Sequence, residues 1–178
     1  MGIKAVVMDV DGVLTDGTVW VDEAGRETKR VSFADIMGVS IGRRAGLHFA
    51  LVSGEGGPVL DQISAKFGID EVYRDCKDKA AAVRDYSARH DLTLAEICFI
   101  GDDVNDVPAM EICGLAAAPA GAQTPALAAA MVVTRGHAGT GAVREVVDQL
   151  VADGNIRPQA SDAERGEMAP SSTRGPGA

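Results

Sequence analysis

Asp9 and Asp11 stand two residues apart at the end of the largely apolar run Ile3–Met8 and lead into Gly12-Val13-Leu14-Thr15-Asp16-Gly17. Alternate residues of an extended segment project to the same face, so both carboxylates can address one site. A second acidic cluster, Gly101-Asp102-Asp103-Val104-Asn105-Asp106, follows the apolar segment Ile97–Ile100. Magnesium takes oxygen ligands of this kind, and a divalent cation removes the charge repulsion that protects a phosphate ester from attack. Asp9, Asp102 and the backbone carbonyl of Asp11 supply such ligands. Asp9, held at a strand end, is also suited to attack phosphorus and form an acyl phosphate. Asp11 can protonate the leaving alkoxide and later deprotonate water. One isolated aspartate is more often a turn residue or helix cap. It is the joint pattern that points to chemistry.

The elements that must hold these residues alternate between strand and helix. Short apolar runs near 3–10, 48–53, 70–74, 96–101, 114–118 and 131–134 predict strands, and 36–46, 57–67, 78–90, 104–112 and 141–151 predict helices. Thr93-Leu94-Ala95-Glu96 has the form of a capping box but leaves room only for a short turn before a strand. Val19-Trp20-Val21, the polar Asp22–Gly25 and the segment Arg26–Phe33 read as a β-hairpin. The fold class is therefore α/β, a Rossmann-like doubly wound parallel sheet with a hairpin flap and a site beyond the carboxyl ends of its strands. Residues 1–152 form the domain, and 153–178, rich in Gly, Pro, Ser and charge, are expected to be a disordered tail.

Composition narrows the partners. The chain has 178 residues, 46% of them hydrophobic, enough for one domain with a sizeable core. No apolar stretch approaches the roughly 18 residues of a membrane span. No targeting segment is visible, and Cys76, Cys98 and Cys113 are odd in number and widely spaced, so reduced thiols in the cytoplasm are expected. A net charge of −9 argues against nucleic acid, whose phosphates demand Lys and Arg, but not against a small phosphorylated substrate.

Asp9-Val10-Asp11-Gly12-Val13-Leu14-Thr15 resembles the first motif of the haloacid dehalogenase superfamily in its phosphatase form. Ser53 after Phe49–Val52, Lys79 opening a helix, and Gly101-Asp102-Asp103 with Asp106 match the remaining three motifs in order. The resemblance implies that Ser53 and Lys79 hold the phosphoryl group, Asp106 anchors Lys79, and Asp103 orients a metal-bound water. The intervals between motifs are too short for a cap domain, which leaves the site open to water unless a large substrate or a neighbouring subunit covers it. The hairpin, Asp35-x-x-Gly38 and Gly139-Thr140-Gly141-Ala142-Val143-Arg144-Glu145 further resemble the 3-deoxyoctulosonate 8-phosphate phosphatases and their nine-carbon, sialate-type relatives. That likeness implies a homotetramer whose hairpins cap adjacent sites. It also implies substrate contacts from Ser32, Asp35, Ser53, Gly54, Glu55 and Lys79.

Glu55 after Ser53-Gly54 looks like the nine-carbon group, so the expected substrate is a nine-carbon sugar acid 9-phosphate. Ala34 and Ile63 stand where arginines of the family bind the sugar-acid carboxylate, and an isoleucine supplies no bidentate partner. Arg43, Arg44 and Arg74 are the candidates to compensate. 3-Deoxyoctulosonate 8-phosphate, or another sugar or nucleoside phosphate, is the alternative. From another class comes a non-catalytic oligomerisation scaffold, which would have no need to keep Asp9, Asp11, Ser53, Lys79 and Asp102 together. His48, His90 and His137 have no role in the scheme.

Overall fold

A computed structural model describes residues 2–153. The expectation for the tail therefore lies, apart from Asp153, outside the described residues. Six strands form one parallel sheet: β1 (Ala5–Met8), β4 (His48–Val52), β5 (Val72–Tyr73), β6 (Ile97–Ile100), β7 (Leu115–Ala120) and β8 (Val132–His137). Their spatial order is β5-β4-β1-β6-β7-β8, with β1 at the reversal of winding between β4 and β6. Ligands in open α/β sheets bind outside the carboxyl ends at such a reversal.

Alternation along the strands divides the core into two layers. Val6 and Met8 of β1, Leu51 of β4 and Ile100 of β6 face α1 (Phe33–Arg44), α2 (Pro58–Phe67) and α6 (Ala142–Ala152). Ala5, Val7, Val52 and Phe99 face the other way, towards α3 (Lys79–Arg89), α4 (Val107–Met110) and α5 (Thr124–Ala129). The central strands are buried on both faces, which is why they read as continuous apolar runs rather than alternating ones.

The hairpin is present but short. β2 (Trp20–Val21) pairs antiparallel with β3 (Glu27–Thr28), and the Asp22 side chain closes the turn by accepting the Ala24 and Arg26 amides at 2.9 Å each. Among the described residues, neither interval between motifs holds a cap domain. The helix expected over 104–112 contracts to Val107–Met110, because Asp102–Asp106 are needed as a loop. α5 was not expected, since its Ala-rich sequence carries no periodic contrast.

The late glycine motif is a junction between helices. Asp35 is fully buried in α1 and accepts the Gly141 and Arg144 amides of the α6 N-terminus at 3.0 and 2.9 Å. Glu145 accepts the Arg135 and Gly136 amides, tying α6 to the end of β8. Gly139 has φ +62°, and a Cβ there would lie 2.7 Å from the Asp16 nitrogen. The turn before α6 thus packs directly on the loop that follows Asp11.

Candidate active site

Asp9 leaves β1 and Asp102 leaves β6, one residue beyond Gly101, so the sheet itself brings the two clusters together. Gly12 makes the approach possible. A Cβ at this position would fall 2.0 Å from Asp102 Oδ2, and the residue adopts φ +85°. Ligand-capable oxygens of Asp9, Asp102 and Asp106 all lie within 4.8 Å of one another.

Lys79 provides the cation. It is 2% exposed at the start of α3, where Asp78 caps the helix by accepting the Ala81 amide at 2.9 Å. Its Nζ lies 2.9 Å from Asp9 Oδ1 and 2.6 Å from Asp106 Oδ1. Burial alone would depress this amine; the charges of Asp9 and Asp106 more than offset it and hold its pKa above the ordinary lysine value. The other oxygen of Asp106 accepts the Asp102 and Asp103 amides at 2.9 and 3.2 Å. Asp106 is thus committed to organising the loop.

One lysine does not balance the buried carboxylates of Asp9 and Asp106 and the half-buried one of Asp102. Burial and then the charge of Asp106 push Asp9 up to about 6 despite Lys79. Burial pushes Asp102 up to about 7, with Asp9, Asp106 and Asp103 adding to the effect. Asp102 Oδ1 is buried with no hydrogen-bond partner among the described residues. A buried polar atom left alone costs about 1–3 kcal/mol, more when charged. An orphaned hard oxygen beside a second strand-end carboxylate fits a divalent cation such as magnesium.

Above this cluster opens a cleft of about 620 Å³, lined by Asp9, Asp11, Gly54, Glu55, Lys79, Asp102 and Asp103 among others. Ser53 lies beneath it, 1% exposed, with its hydroxyl accepting the Glu55 amide at 3.1 Å. Together with Asp11 and Glu55 it lines a small cavity of about 50 Å³. Asp11 is half-buried and accepts a weak 3.3 Å hydrogen bond from the Thr15 hydroxyl.

Two expected substrate contacts are engaged with backbone amides in this structure. Ser32 caps α1, its hydroxyl accepting the Ala34 amide at 3.1 Å. Asp35 is sealed against α6, and neither residue borders the cleft. A polar residue at a helix start looks the same in sequence whether it binds ligand or backbone. The expected compensating arginines are also elsewhere: Arg43 donates to the Gly68 carbonyl, Arg74 pairs with Asp61, and Arg44 is exposed away from the cleft.

The cations that reach the site besides Lys79 come from the hairpin. Lys29 Nζ lies 2.8 Å from Asp11 and 3.1 Å from Glu55, and Arg30 lines the cleft while pairing with Asp16 at 3.0 Å. His137, given no role from sequence, also lines the cleft, beside Gln123 and Thr140. A Lys-Arg pair within a polar hairpin carries no periodic signal that would single it out. Ile63 is 5% exposed in the apolar core, with nothing of a guanidinium's function.

A family model described as haloacid dehalogenase-like hydrolase matches residues 55–146. The chain is 32% identical over 149 residues to the 3-deoxy-D-manno-octulosonate 8-phosphate phosphatase KdsC of Escherichia coli K12, covering 84% of this chain and 79% of that protein. Among solved structures it resembles the cobalt-bound deoxy-D-mannose-octulosonate 8-phosphate phosphatase of Haemophilus influenzae, with TM-score 0.81, 34% identity, and 85% and 88% of the two chains covered. The corresponding phosphatase of Moraxella catarrhalis, solved with magnesium, phosphate and KDO, matches with TM-score 0.81 and 28% identity over 84% and 86% of the chains. With the motif order, the strand-end carboxylates and these likenesses together, the chain belongs to the haloacid dehalogenase-like hydrolases.

Proposed function

We propose that this protein is a magnesium-dependent phosphomonoesterase that hydrolyses a sugar-type phosphate through an aspartyl phosphate. The single observation that carries the reading is the under-compensated cluster of Asp9, Asp102 and Asp106 around one buried lysine, with Asp102 Oδ1 unpartnered. Asp9, Asp102 and the Asp11 carbonyl would hold the cation, which when bound neutralises phosphate charge and polarises the phosphorus. Asp9 forms the new bond to phosphorus as the bond to the sugar oxygen breaks, and Asp11 supplies that oxygen with a proton. Lys79 and the Ser53 hydroxyl hold the phosphoryl oxygens. Asp11 then takes a proton from water as the water oxygen attacks phosphorus and releases Asp9 and phosphate. Asp106 keeps Lys79 and the Asp102–Asp103 amides in place throughout.

The nature of the ester rests on less. The curated relatives named above support 3-deoxyoctulosonate 8-phosphate. Glu55 supports a nine-carbon acid through its resemblance to that group; a carboxylate accepts hydrogen bonds from sugar hydroxyls but repels a substrate carboxylate unless a cation stands beside it. Here Lys29 does stand beside it. A homotetramer is the assembly we propose, on the exposed apolar surface of Trp20, Val21 and Phe33, which are 74%, 62% and 77% accessible. Three free cysteines, two of them buried, suit a reducing cytoplasm. No helix among the described residues is long and apolar enough to cross a membrane.

The test is phosphate release from 3-deoxyoctulosonate 8-phosphate, sialate and deoxynonulosonate 9-phosphates, hexose phosphates and nucleotides, with magnesium and with a chelator. Magnesium-dependent release from one of the sugar acids is expected. Absence of release from every ester would overturn the reading in favour of a non-catalytic scaffold.

A further inference from the structure

Each of the two carboxylates of the first motif has its own lysine. Lys79 serves Asp9 from inside the domain; Lys29 serves Asp11 from the hairpin. Lys29 follows β3, and the neighbouring Thr28 and Arg30 are exposed, yet the Lys29 side chain is only 9% exposed. Lysine is seldom buried unless its charge is paired. Its Nζ reaches Asp11 Oδ1 at 2.8 Å, Asp11 Oδ2 at 2.9 Å and Glu55 Oε2 at 3.1 Å. Burial would lower its pKa, but the hydrogen bonds and charges of Asp11 and Glu55 overcome this and keep it cationic. Without Lys29, the Asp11 carboxyl would keep only the 3.3 Å contact from Thr15.

We infer that Lys29 is a positioning residue for proton transfer: it fixes the Asp11 carboxyl against Glu55 so that Asp11 meets the leaving oxygen. The inference rests on the phosphatase reading above. In the first displacement, a phosphorus–oxygen bond to Asp9 forms while the bond to the leaving oxygen breaks, and the electron pair left on that oxygen takes the proton of Asp11. A carboxyl displaced by about 1 Å can lose some hundredfold in such a step. The loss depends on what leaves. p-Nitrophenolate departs without a proton, whereas the more basic phenolate gains much more from one.

The experiment compares kcat/KM for p-nitrophenyl phosphate and phenyl phosphate in the full chain with magnesium, for the unaltered protein, Lys29→Met and Lys29→Arg. kcat/KM reports steps through the first cleavage, so water attack in the second displacement does not mask the effect. Lys29→Met is expected to raise the preference for the p-nitrophenyl ester about tenfold or more, a fraction of what general acid catalysis supplies. Lys29→Arg, which keeps a cation between the two carboxylates, is expected to return most of that preference to the unaltered value. An equal fall for both esters in Lys29→Met would overturn the inference and make Lys29 only an anchor of the hairpin; so would no change in either. Failure of the unaltered protein to release phosphate from both esters and from the sugar acids would instead overturn the phosphatase reading, and this inference with it.

Discussion

Two charged regions of the molecule solve the same problem in opposite ways. At the edge strand β5, Arg89 pairs with Glu71, Asp85 and the Tyr73 hydroxyl, and His90 Nε2 meets Glu71 at 2.7 Å. These groups are partly exposed, matched one to another, and screened by water. At the carboxyl ends of β1 and β6, carboxylates outnumber cations, are buried or half-buried, and leave Asp102 Oδ1 with no partner among the described residues. Matched surface charge contributes little to stability and needs nothing more. Unmatched buried charge is costly and is completed only by a ligand. The fold tolerates the second arrangement where its backbone topology is least negotiable.

The comparison breaks most sharply at Asp9. Asp9→Asn is expected to reduce turnover on the order of 10⁴-fold or more, with the unfolding midpoint not lowered, since one buried charge disappears. Steady-state kinetics and calorimetry together check this; an active variant would end the mechanism. Lys79→Met should abolish activity as well and also destabilise the metal-free protein by about 3–5 kcal/mol, because Asp9 and Asp106 lose their shared cation. Denaturant unfolding measures it.

Asp35 lies outside both regions and separates structure from chemistry. Asp35→Ala takes the acceptor from two half-buried amides of the α6 N-terminus, at an expected cost of about 1–3 kcal/mol. The residual folded fraction should keep an ordinary KM, since Asp35 does not border the cleft.

Acidity sharpens the contrast further. Asp9 at about 6 and Asp102 at about 7 both lie above the unfolded value of 3.8. Their ionisation therefore penalises the folded state in full above about pH 7, and the penalty shrinks steadily as pH falls from about 7 towards the unfolded value of 3.8. Metal-free protein should unfold at a higher temperature at pH 5.5 than at pH 8, and saturating magnesium should raise the pH 8 value more than the pH 5.5 value. Carboxylates held low, such as Glu96 at about 2, act in the opposite sense only below about pH 5. Scanning calorimetry at the two pH values distinguishes these. The smallest effect belongs to β5: Arg89→Met should leave the unfolding midpoint within about 2 °C.

What was legible in sequence follows the same division. Asp9, Asp11, Ser53, Lys79 and Asp102 stood out because each lies within three residues of the end of an apolar strand or opens a helix, and a parallel sheet puts all those strand ends on one side. Lys29 and Arg30 did not, because nothing in the polar hairpin states which way it folds back. The partners of Ser32 and Asp35 were not legible, for a different reason. They are backbone amides, which every sequence contains, and those of Asp35 lie 106 and 109 residues away. The late glycine motif was correctly singled out. Its role in joining α1, β8 and α6 emerges only from the packing.

That junction has a temporal meaning. During synthesis Asp9 and Asp11 emerge first, yet the loop after them receives the Gly139 amide on the Val13 carbonyl at 3.0 Å, and α1 finds the acceptors' counterpart only in α6. A nascent chain stopped before residue 139 possesses all four motifs but not the clasp that sets the first loop. Ribosome-tethered chains should therefore acquire tight cation binding only after α6 has cleared the exit tunnel, so that the last helix of the described domain sets the loop that follows its first strand.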